Sequence, residues 1–231
     1  MSETTEITVQ VAGPEHTHLA EAICKEMEES AKARGTGIAK RNPEYIRNKM
    51  IEGKAVIAIT AEGQFAGFCY IETWGHGKYV SNSGLIVVPS IRKSGLATRI
   101  KEKAFELTRS KYPEAKLFGL TTSAAVMKIN SELGYRPVTF SELTDDESFW
   151  KGCSSCVNYE ILMSKDRKMC FCTGMLYDPE EKKQEKEKEK INFKEKSKLW
   201  ERFQNLKIMK LLKSFGKEPI KLIAGMIAFI K

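Results

Sequence analysis

The chain has 231 residues, of which 42% are hydrophobic, and a formal net charge of +8. This length can bury one sizeable core with some chain left over. The charge is uneven: residues 177–231 hold 15 Lys and Arg against 9 Asp and Glu, a net +6, which leaves +2 for the first 176 residues. A nearly neutral body argues against a nucleic-acid-binding face. No apolar run reaches the roughly 18 residues of a membrane-spanning helix.

The first six residues are polar and acidic, which is not the pattern of a signal peptide. We therefore expect a cytoplasmic protein whose six cysteines are reduced or metal-bound rather than paired in disulfides.

Hydrophobic periodicity predicts an α/β domain. In chain order the pattern predicts a strand at 7–11, a helix from Pro14 through Met27, a helix from Pro43 through Met50, and strands at 55–59, 65–74 and 85–88. Turn signals separate them, notably the Gly53 helix cap and the Glu62-Gly63 pair.

The strand at 85–88 leads into residues 89–97, the stretch of the sequence that best indicates a function. Pro89 lacks the N–H that a central strand needs, so the strand should end there. Next comes Arg92-Lys93-Ser94-Gly95-Leu96-Ala97, and then a helix whose apolar face begins at Ile100. A strand, a short glycine-containing turn and a helix start direct several backbone N–H groups at one point, where an anion can bind.

Arg92-x-x-Gly95-x-Ala97 after an apolar strand resembles the coenzyme A pyrophosphate loop of the GNAT acetyltransferase superfamily; an ordinary strand–helix turn is the alternative. The resemblance implies a GNAT fold over residues 1–177, with a mixed central sheet flanked by helices and a C-terminal helical tail. It implies acetyl-CoA or another acyl-CoA as the donor, with the thioester polarised by the N–H of Val87 or Val88. The implied CoA-binding residues are Arg92, Lys93, Ser94, Gly95, Leu96 and Ala97.

A strand at 115–122 and a helix at 123–133, closed by Gly134-Tyr135, resemble the second half of the GNAT signature. Many members of that superfamily carry a tyrosine near the end of this helix that protonates the departing CoA sulfur. The matching residue here is Asn130, which is not an acid. Either Asn130 only orients the sulfur, or the thiolate leaves without help, which a thiol pKa of about 8.5 allows.

For the acceptor amine, Glu72 is the first choice of general base and His76 the second, although Glu72 can equally be a carboxylate in a surface ion pair. Residues 83–138 also resemble the acetyltransferase domain of N-acetylglutamate synthases, in which an apolar strand ends in Leu-Thr-Thr. That likeness implies an amino-acid acceptor such as glutamate or ornithine in arginine biosynthesis. Its carboxylates would be bound by Arg34 and Arg41 (Lys40 lies beside them), with help from the hydroxyls of Thr121 and Thr122, which can instead cap the next helix.

Four of the six cysteines form two closely spaced pairs, Cys153 with Cys156 and Cys170 with Cys172. Four thiols can build a structural zinc site. If 157–163 and 169–176 form one hairpin, the pairs lie at its opposite ends and cannot share a metal. If 141–168 is an insertion before the last strand, the pairs can meet. Small buried hydrophobic cysteines are the other interpretation.

Residues 178–197 form a charged linker or helix, and 198–231 predict a basic amphipathic helical tail that can contact the domain, another subunit, a partner protein or an anionic membrane surface. The sequence thus favours an N-acyltransferase that moves an acetyl or similar group from CoA to the amine of a small metabolite. The alternatives are an acyl-CoA-binding interaction module of the same fold with weak or no catalysis, or a protein N-acetyltransferase.

Overall fold

The computed structural model describes residues 6–35 and 41–205. Its strands are β1 (Ile7–Val11), β2 (Ala55–Thr60), β3 (Phe65–Trp74), β4 (Tyr79–Val87), β5 (Lys116–Thr121), β6 (Arg136–Val138) and β7 (Thr173–Tyr177). Its helices are α1 (Ala20–Arg34, after a 3₁₀ turn at Pro14–Leu19), α2 (Pro43–Ile51), α3 (Leu96–Lys111), α4 (Ala124–Glu132), α5 (Glu147–Lys151), α6 (Tyr159–Ser164) and α7 (Pro179–Asn205).

The seven described strands form one mixed sheet in the order β1-β2-β3-β4-β5-β7-β6. Neighbours pair antiparallel except β4 and β5, which are parallel. The predicted mixed sheet with flanking helices is therefore confirmed. The strand predicted at 85–88 is the end of β4, which begins six residues earlier and stops at Val87.

Helices cover both faces of the sheet, and alternate residues of each strand point to opposite faces. On one face α1 and α2 bury Ile23, Ile46 and Met50 against Ile57 and Phe68. On the other face α3 packs against β2 and β3 in a second apolar cluster, formed by Val56, Ala58, Ala66, Cys69, Val87, Leu96, Ile100 and Ala104. Both faces of β2 and β3 are thus buried, which explains their continuous apolar sequences.

β4 carries a bulge next to Gly84. The register passes from Phe68 opposite Ile86 to Tyr70 opposite Ser83, so β4 has one more residue than β3 over this stretch. Gly84 has φ +65°, in the left-handed region. A Cβ there would lie 2.6 Å from Tyr70 Cε1. Only glycine fits both the conformation and the space.

Residues 139–172 leave the sheet between β6 and β7 and form a 3₁₀ turn at Phe140–Glu142, α5 and α6 before β7 inserts between β5 and β6. Their apolar side chains pack on β5 and β7 around Phe118, Trp150 and Leu176. The hairpin alternative for 157–163 and 169–176 is wrong, because α6 occupies the first of these segments. The segment stands between two neighbouring strands of the sheet, β6 and β7, and we call it the insertion.

The chain divides into two compact units, with the boundary directly after Pro179. Residues 178–197, predicted as a charged linker or helix, lie almost entirely in α7. The predicted tail at 198–231 begins in α7, and its residues 206–231 lie outside the described part of the chain. Among the described helices, none has both the length and the apolar character needed to cross a membrane.

We expect Gly84→Ala to destabilise the fold more than Gly63→Ala does. Both glycines have positive φ, but nothing lies within 4 Å of a Cβ at Gly63. Gly63→Ala should therefore cost only the strain of a left-handed residue, about 1–2 kcal/mol. At Gly84 overpacking against the Tyr70 ring should add roughly 1–3 kcal/mol. Urea unfolding of the two variants measures the difference, and equal losses would show that β4 can move away from Tyr70.

Candidate active site

The turn between β4 and α3 presents a row of unused backbone N–H groups. After Pro89–Ile91 the chain turns through Lys93 at φ +67° and Gly95 at φ +81°. Gly95 is the N-cap of α3, and its carbonyl accepts from Thr98 and Arg99. The five N–H groups from Lys93 to Ala97 have no acceptor within the described residues. They stand at the positive end of a 16-residue helix.

Arg92 makes several hydrogen bonds within the protein. Its Nε donates to the carbonyl of Val87 at 2.9 Å, and its Nη2 donates to Glu26 Oε1 at 3.1 Å and to Ser30 Oγ at 2.7 Å. Its backbone N–H donates to Pro89. These bonds tie the turn to α1 and β4, and CoA binding by Arg92 stays a prediction.

The sheet splits beside this turn. β4 and β5 pair only from Tyr79 opposite Lys116 to Ser81 opposite Phe118, although β4 continues to Val87 and β5 to Thr121. We call this point the fork. Beyond it the edge of β4 that faces β5 has no strand partner, and its first unpaired group is the carbonyl of Asn82.

Backbone alternation decides which amide of β4 faces the fork. Val88 N–H donates to the carbonyl of Ala66 on the β3 side at 3.0 Å. The prediction that Val88 polarises a thioester is therefore wrong, because its N–H is already used. Val87 is one residue earlier and opposite Gly67, so its backbone groups point to the other side, as its carbonyl does in bonding Arg92. The N–H of Val87 therefore remains the candidate hydrogen-bond donor to a ligand at this edge of β4.

Glu72 lies one strand from the fork, opposite Ser81, on the face covered by α2. Its Oε1 accepts from Lys49 Nζ at 2.6 Å and its Oε2 accepts from the hydroxyl of Tyr45. The side chains of Lys49 and Glu72 are only 8% and 17% exposed, so this is a largely buried ion pair rather than a surface one. Arg41 completes the group, since its Nε donates to Tyr70 Oη at 2.6 Å.

This acceptor-side cluster (Arg41, Tyr45, Lys49, Tyr70 and Glu72) combines two cations, one carboxylate and two phenols. Burial is the main cause that raises the pKa of both tyrosines, so they keep their protons at neutral pH. Lys49 was not among the residues predicted from the sequence. Its spacing of four residues from Tyr45 places both on one face of α2, which is the available signal.

The remaining predicted residues are distributed as follows. Asn130 is 2% exposed, and its Oδ1 has no hydrogen-bond partner in the part of the chain that the structure describes. Thr121 Oγ1 accepts from the N–H of Ser123, which itself caps α4, while Thr122 is exposed. His76 is exposed in the β3–β4 turn. The side chain of Arg34 lies outside the described residues.

The insertion brings the four cysteines together around one small apolar cavity of about 30 Å³. Burial, followed by the neighbouring thiols, raises the pKa of Cys153 to about 11 and that of Cys172 to about 12, so both are protonated at neutral pH. Within the described ranges, no group of three or more His, Cys, Asp or Glu side chains is placed to hold a metal ion. Zinc binding by Cys153, Cys156, Cys170 and Cys172 stays a prediction that this arrangement does not support.

The same insertion borders the acceptor-side cluster. Phe149 packs edge-to-face on Trp74 with ring centroids 5.3 Å apart, and Asp146 Oδ2 accepts from Gly75 N–H at 3.0 Å. The charge of Arg41 also reaches Cys153, where it partly opposes the rise in thiol pKa. The insertion and α2 therefore flank the same end of β3.

Lys49→Met should destabilise the protein by about 3–5 kcal/mol, because it leaves the largely buried Glu72 carboxylate without its cation. Adding Glu72→Gln should recover part of this loss. The matched control is Lys54→Met, which breaks the more exposed pair with Glu52 and should cost about 1 kcal/mol or less. Chemical denaturation of the four proteins tests the pair, and a double variant less stable than Lys49→Met would contradict it.

No protein-family model and no curated protein matches the sequence. Solved structures do match. N-acetylglutamate synthase from Neisseria gonorrhoeae, complexed with coenzyme A and N-acetyl-glutamate, is 16% identical with a TM-score of 0.54. The match covers 76% of this chain and 36% of that chain, so this chain spans about a third of that protein's length.

Two other matches span nearly the whole of the matched protein. A GNAT-family acetyltransferase from Staphylococcus aureus is 9% identical, with a TM-score of 0.57 over 75% of this chain and 99% of that chain. A Mycobacterium tuberculosis protein in complex with CoA is 16% identical, with a TM-score of 0.53 over 74% and 98%. At such identities the likeness concerns the fold, and the chain has the GNAT acetyltransferase fold.

Proposed function

We propose that this protein is an N-acyltransferase that moves an acetyl group from CoA to the amine of a small metabolite. The observation that carries the proposal is the row of five unused amides from Lys93 to Ala97 beside a fork in the sheet. A diphosphate accepts several such N–H bonds at once, and a helix N-terminus favours its charge.

The length of the open strand edge suits the pantetheine arm. From Val87 to Asn82 the edge spans five residue steps, roughly 16 Å. The arm from the diphosphate to the sulfur contains about twelve bonds, roughly 14 Å when extended. A CoA whose diphosphate lies at the turn can therefore bring its thioester close to the fork. Its amides would bond to the unpaired edge of β4 as an added strand does.

The acceptor-side cluster supports an amine substrate that also bears a carboxylate. Arg41 has the planar donor geometry that suits a carboxylate, and Lys49 adds a second cation beside it. An amino acid has both groups, so we infer a role in amino-acid metabolism, with glutamate and ornithine as the first acceptors to test. In that role Glu72 sits where the amine would approach the fork from the α2 face.

In the proposed reaction the neutral amine attacks the thioester carbonyl, the C–N bond forms, and the C–S bond breaks with its electron pair on sulfur. Val87 N–H, five residues along the edge from Asn82, would bond to the pantetheine arm rather than to a thioester that lies at the fork. Glu72 would receive the proton lost by the amine, directly or through one water. Lys49 and Tyr45 hold this carboxylate in place.

One observation favours the acyl-CoA-binding module as a second candidate. Both oxygens of Glu72 already accept hydrogen bonds, and Asn130 offers no acid for the leaving sulfur. A binding module would bind acetyl-CoA as the enzyme does but would turn over no amine. A measurement of amine turnover therefore distinguishes the enzyme from the binding module, whereas a measurement of affinity for acetyl-CoA does not.

Gly95→Val should weaken CoA binding at least tenfold, because the new side chain occupies the space that the diphosphate needs in front of the amides. The protein itself has room, since nothing lies within 4 Å of a Cβ at Gly95. Gly63→Val is the control, with similar backbone strain and open space far from the turn in sequence. Calorimetric titration with CoA measures both variants. Unchanged affinity in Gly95→Val would remove the diphosphate site and the proposal with it.

Free-thiol release from acetyl-CoA, measured across the amino acids, should reveal turnover with glutamate or ornithine. Glu72→Gln should lower kcat roughly 100-fold or more, because it removes the proton acceptor. Its affinity for CoA should match that of the unaltered protein, since Glu72 lies across the sheet from the turn. Tight CoA binding without turnover on any amine would support the binding module instead.

A further inference from the structure

Lys101 is a buried lysine at the fork that the proposed reaction has not used. It lies on α3, five residues after the helix begins, and is 3% exposed. Its Nζ donates to Asn82 Oδ1 at 3.1 Å and lies 5.4 Å from the centre of the Tyr135 ring. Asn82 directly follows Ser81, the last residue of β4 that pairs with β5.

Lys101 is one of three side chains that hold Asn82. Asn82 Oδ1 also accepts from Tyr135 Oη at 2.8 Å, and Asn82 Nδ2 donates to Thr108 Oγ1 at 3.3 Å. Tyr135 and Thr108 are themselves buried. The side chain of Asn82 is therefore fixed on the α3 face, which also fixes its carbonyl, the first unpaired group at the fork.

No carboxylate bonds to Lys101 in the described part of the chain, in contrast to Lys49 and its 2.6 Å pair with Glu72 on the opposite face. Burial lowers the pKa of Lys101, and the nearby Cys69 thiol only partly opposes this. The other titratable side chain in contact is Tyr135, whose pKa burial raises. A buried amine without a counter-charge weakens a fold, so packing alone gives no reason for it.

The acyl transfer itself would supply the missing anion. As the C–S bond breaks, a negative charge appears on the CoA sulfur, which the arm length places close to the fork. An opposite charge within about 4–6 Å favours the charged form of each partner, by roughly one to three pKa units. Asn130, at the position where related enzymes carry a tyrosine acid, has no proton to give.

We propose that Lys101 is a positioning residue for the leaving group: it holds Asn82 at the fork and its ammonium offsets the charge of the departing CoA thiolate. The inference rests on the proposed function. The sulfur leaves with the C–S electron pair and later takes a proton from solvent, while the proton lost by the amine passes to Glu72, so charge and protons balance. Lys101 binds its proton more tightly while the thiolate is present.

The direct test needs no acceptor amine. CoA is bound to the full-length protein, and its thiol is titrated by the ultraviolet absorbance of the thiolate. The unaltered protein should lower the pKa of the bound thiol, raising its acid dissociation constant roughly 10- to 1,000-fold relative to Lys101→Met. Lys103→Met, on the exposed side of the same helix, should behave as the unaltered protein does.

Two further measurements separate a role at the sulfur from a structural one. Because burial disfavours the charged amine, Lys101→Met should raise the Tm at neutral pH, and this gain should shrink as the pH rises toward the pKa of an unfolded lysine, about 10.4. With a working acceptor, the same variant should lose kcat at least tenfold with little change in KM for acetyl-CoA. Tyr135→Phe removes one bond to Asn82 but keeps the charge, so it should keep the lowered thiol pKa.

The outcomes are distinguishable. If CoA does not bind the unaltered protein, the proposed function fails. If CoA binds and its thiol has the same pKa in Lys101→Met as in the unaltered protein, the inference is overturned and the proposed function stands. A stability gain together with unchanged kcat would likewise make Lys101 a structural residue only.

Discussion

The fork between β4 and β5 exists because each of these strands stays with its other neighbour. β5 pairs with β7 over five residues, while β4 follows β3 through the bulge beside Gly84. The strands therefore share only three paired positions. Backbone groups left unpaired between packed layers are costly. A ligand that offers amide donors and acceptors, as pantetheine does, satisfies them without moving either strand.

The two faces of the sheet differ in charge balance at this point. Glu72 and Asn82 lie on neighbouring strands but point to opposite faces, because Glu72 pairs with Ser81 and side chains alternate along a strand. On the α2 face the carboxylate has its cation, Lys49, so the pair is complete within the protein itself. On the α3 face Lys101 has no such partner among the described residues. The face that lacks an anion is the one from which α3 and its N-terminal turn would hold CoA.

The sequence predicted what depends on adjacent residues and missed what depends on distant ones. The turn at 93–97 follows from a strand, a proline, a glycine and a helix start, all within a few positions. The bonds of Arg92 to α1 did not follow, because Glu26 and Ser30 lie 66 and 62 residues away. Val88 was misassigned because a strand's pairing phase is set by its partner, here Ala66. The insertion could be resolved only once α6 excluded the hairpin.

The insertion packs against β3 and β5 near the acceptor-side cluster. Its Phe149 packs against both Trp74 of β3 and Phe118 of β5, the two strands that flank β4. The cavity lined by the four cysteines also lies in this part of the fold, next to Leu120 of β5. Under the proposed function, acceptor binding would therefore depend on the insertion, while CoA binding would depend on the turn and on α3.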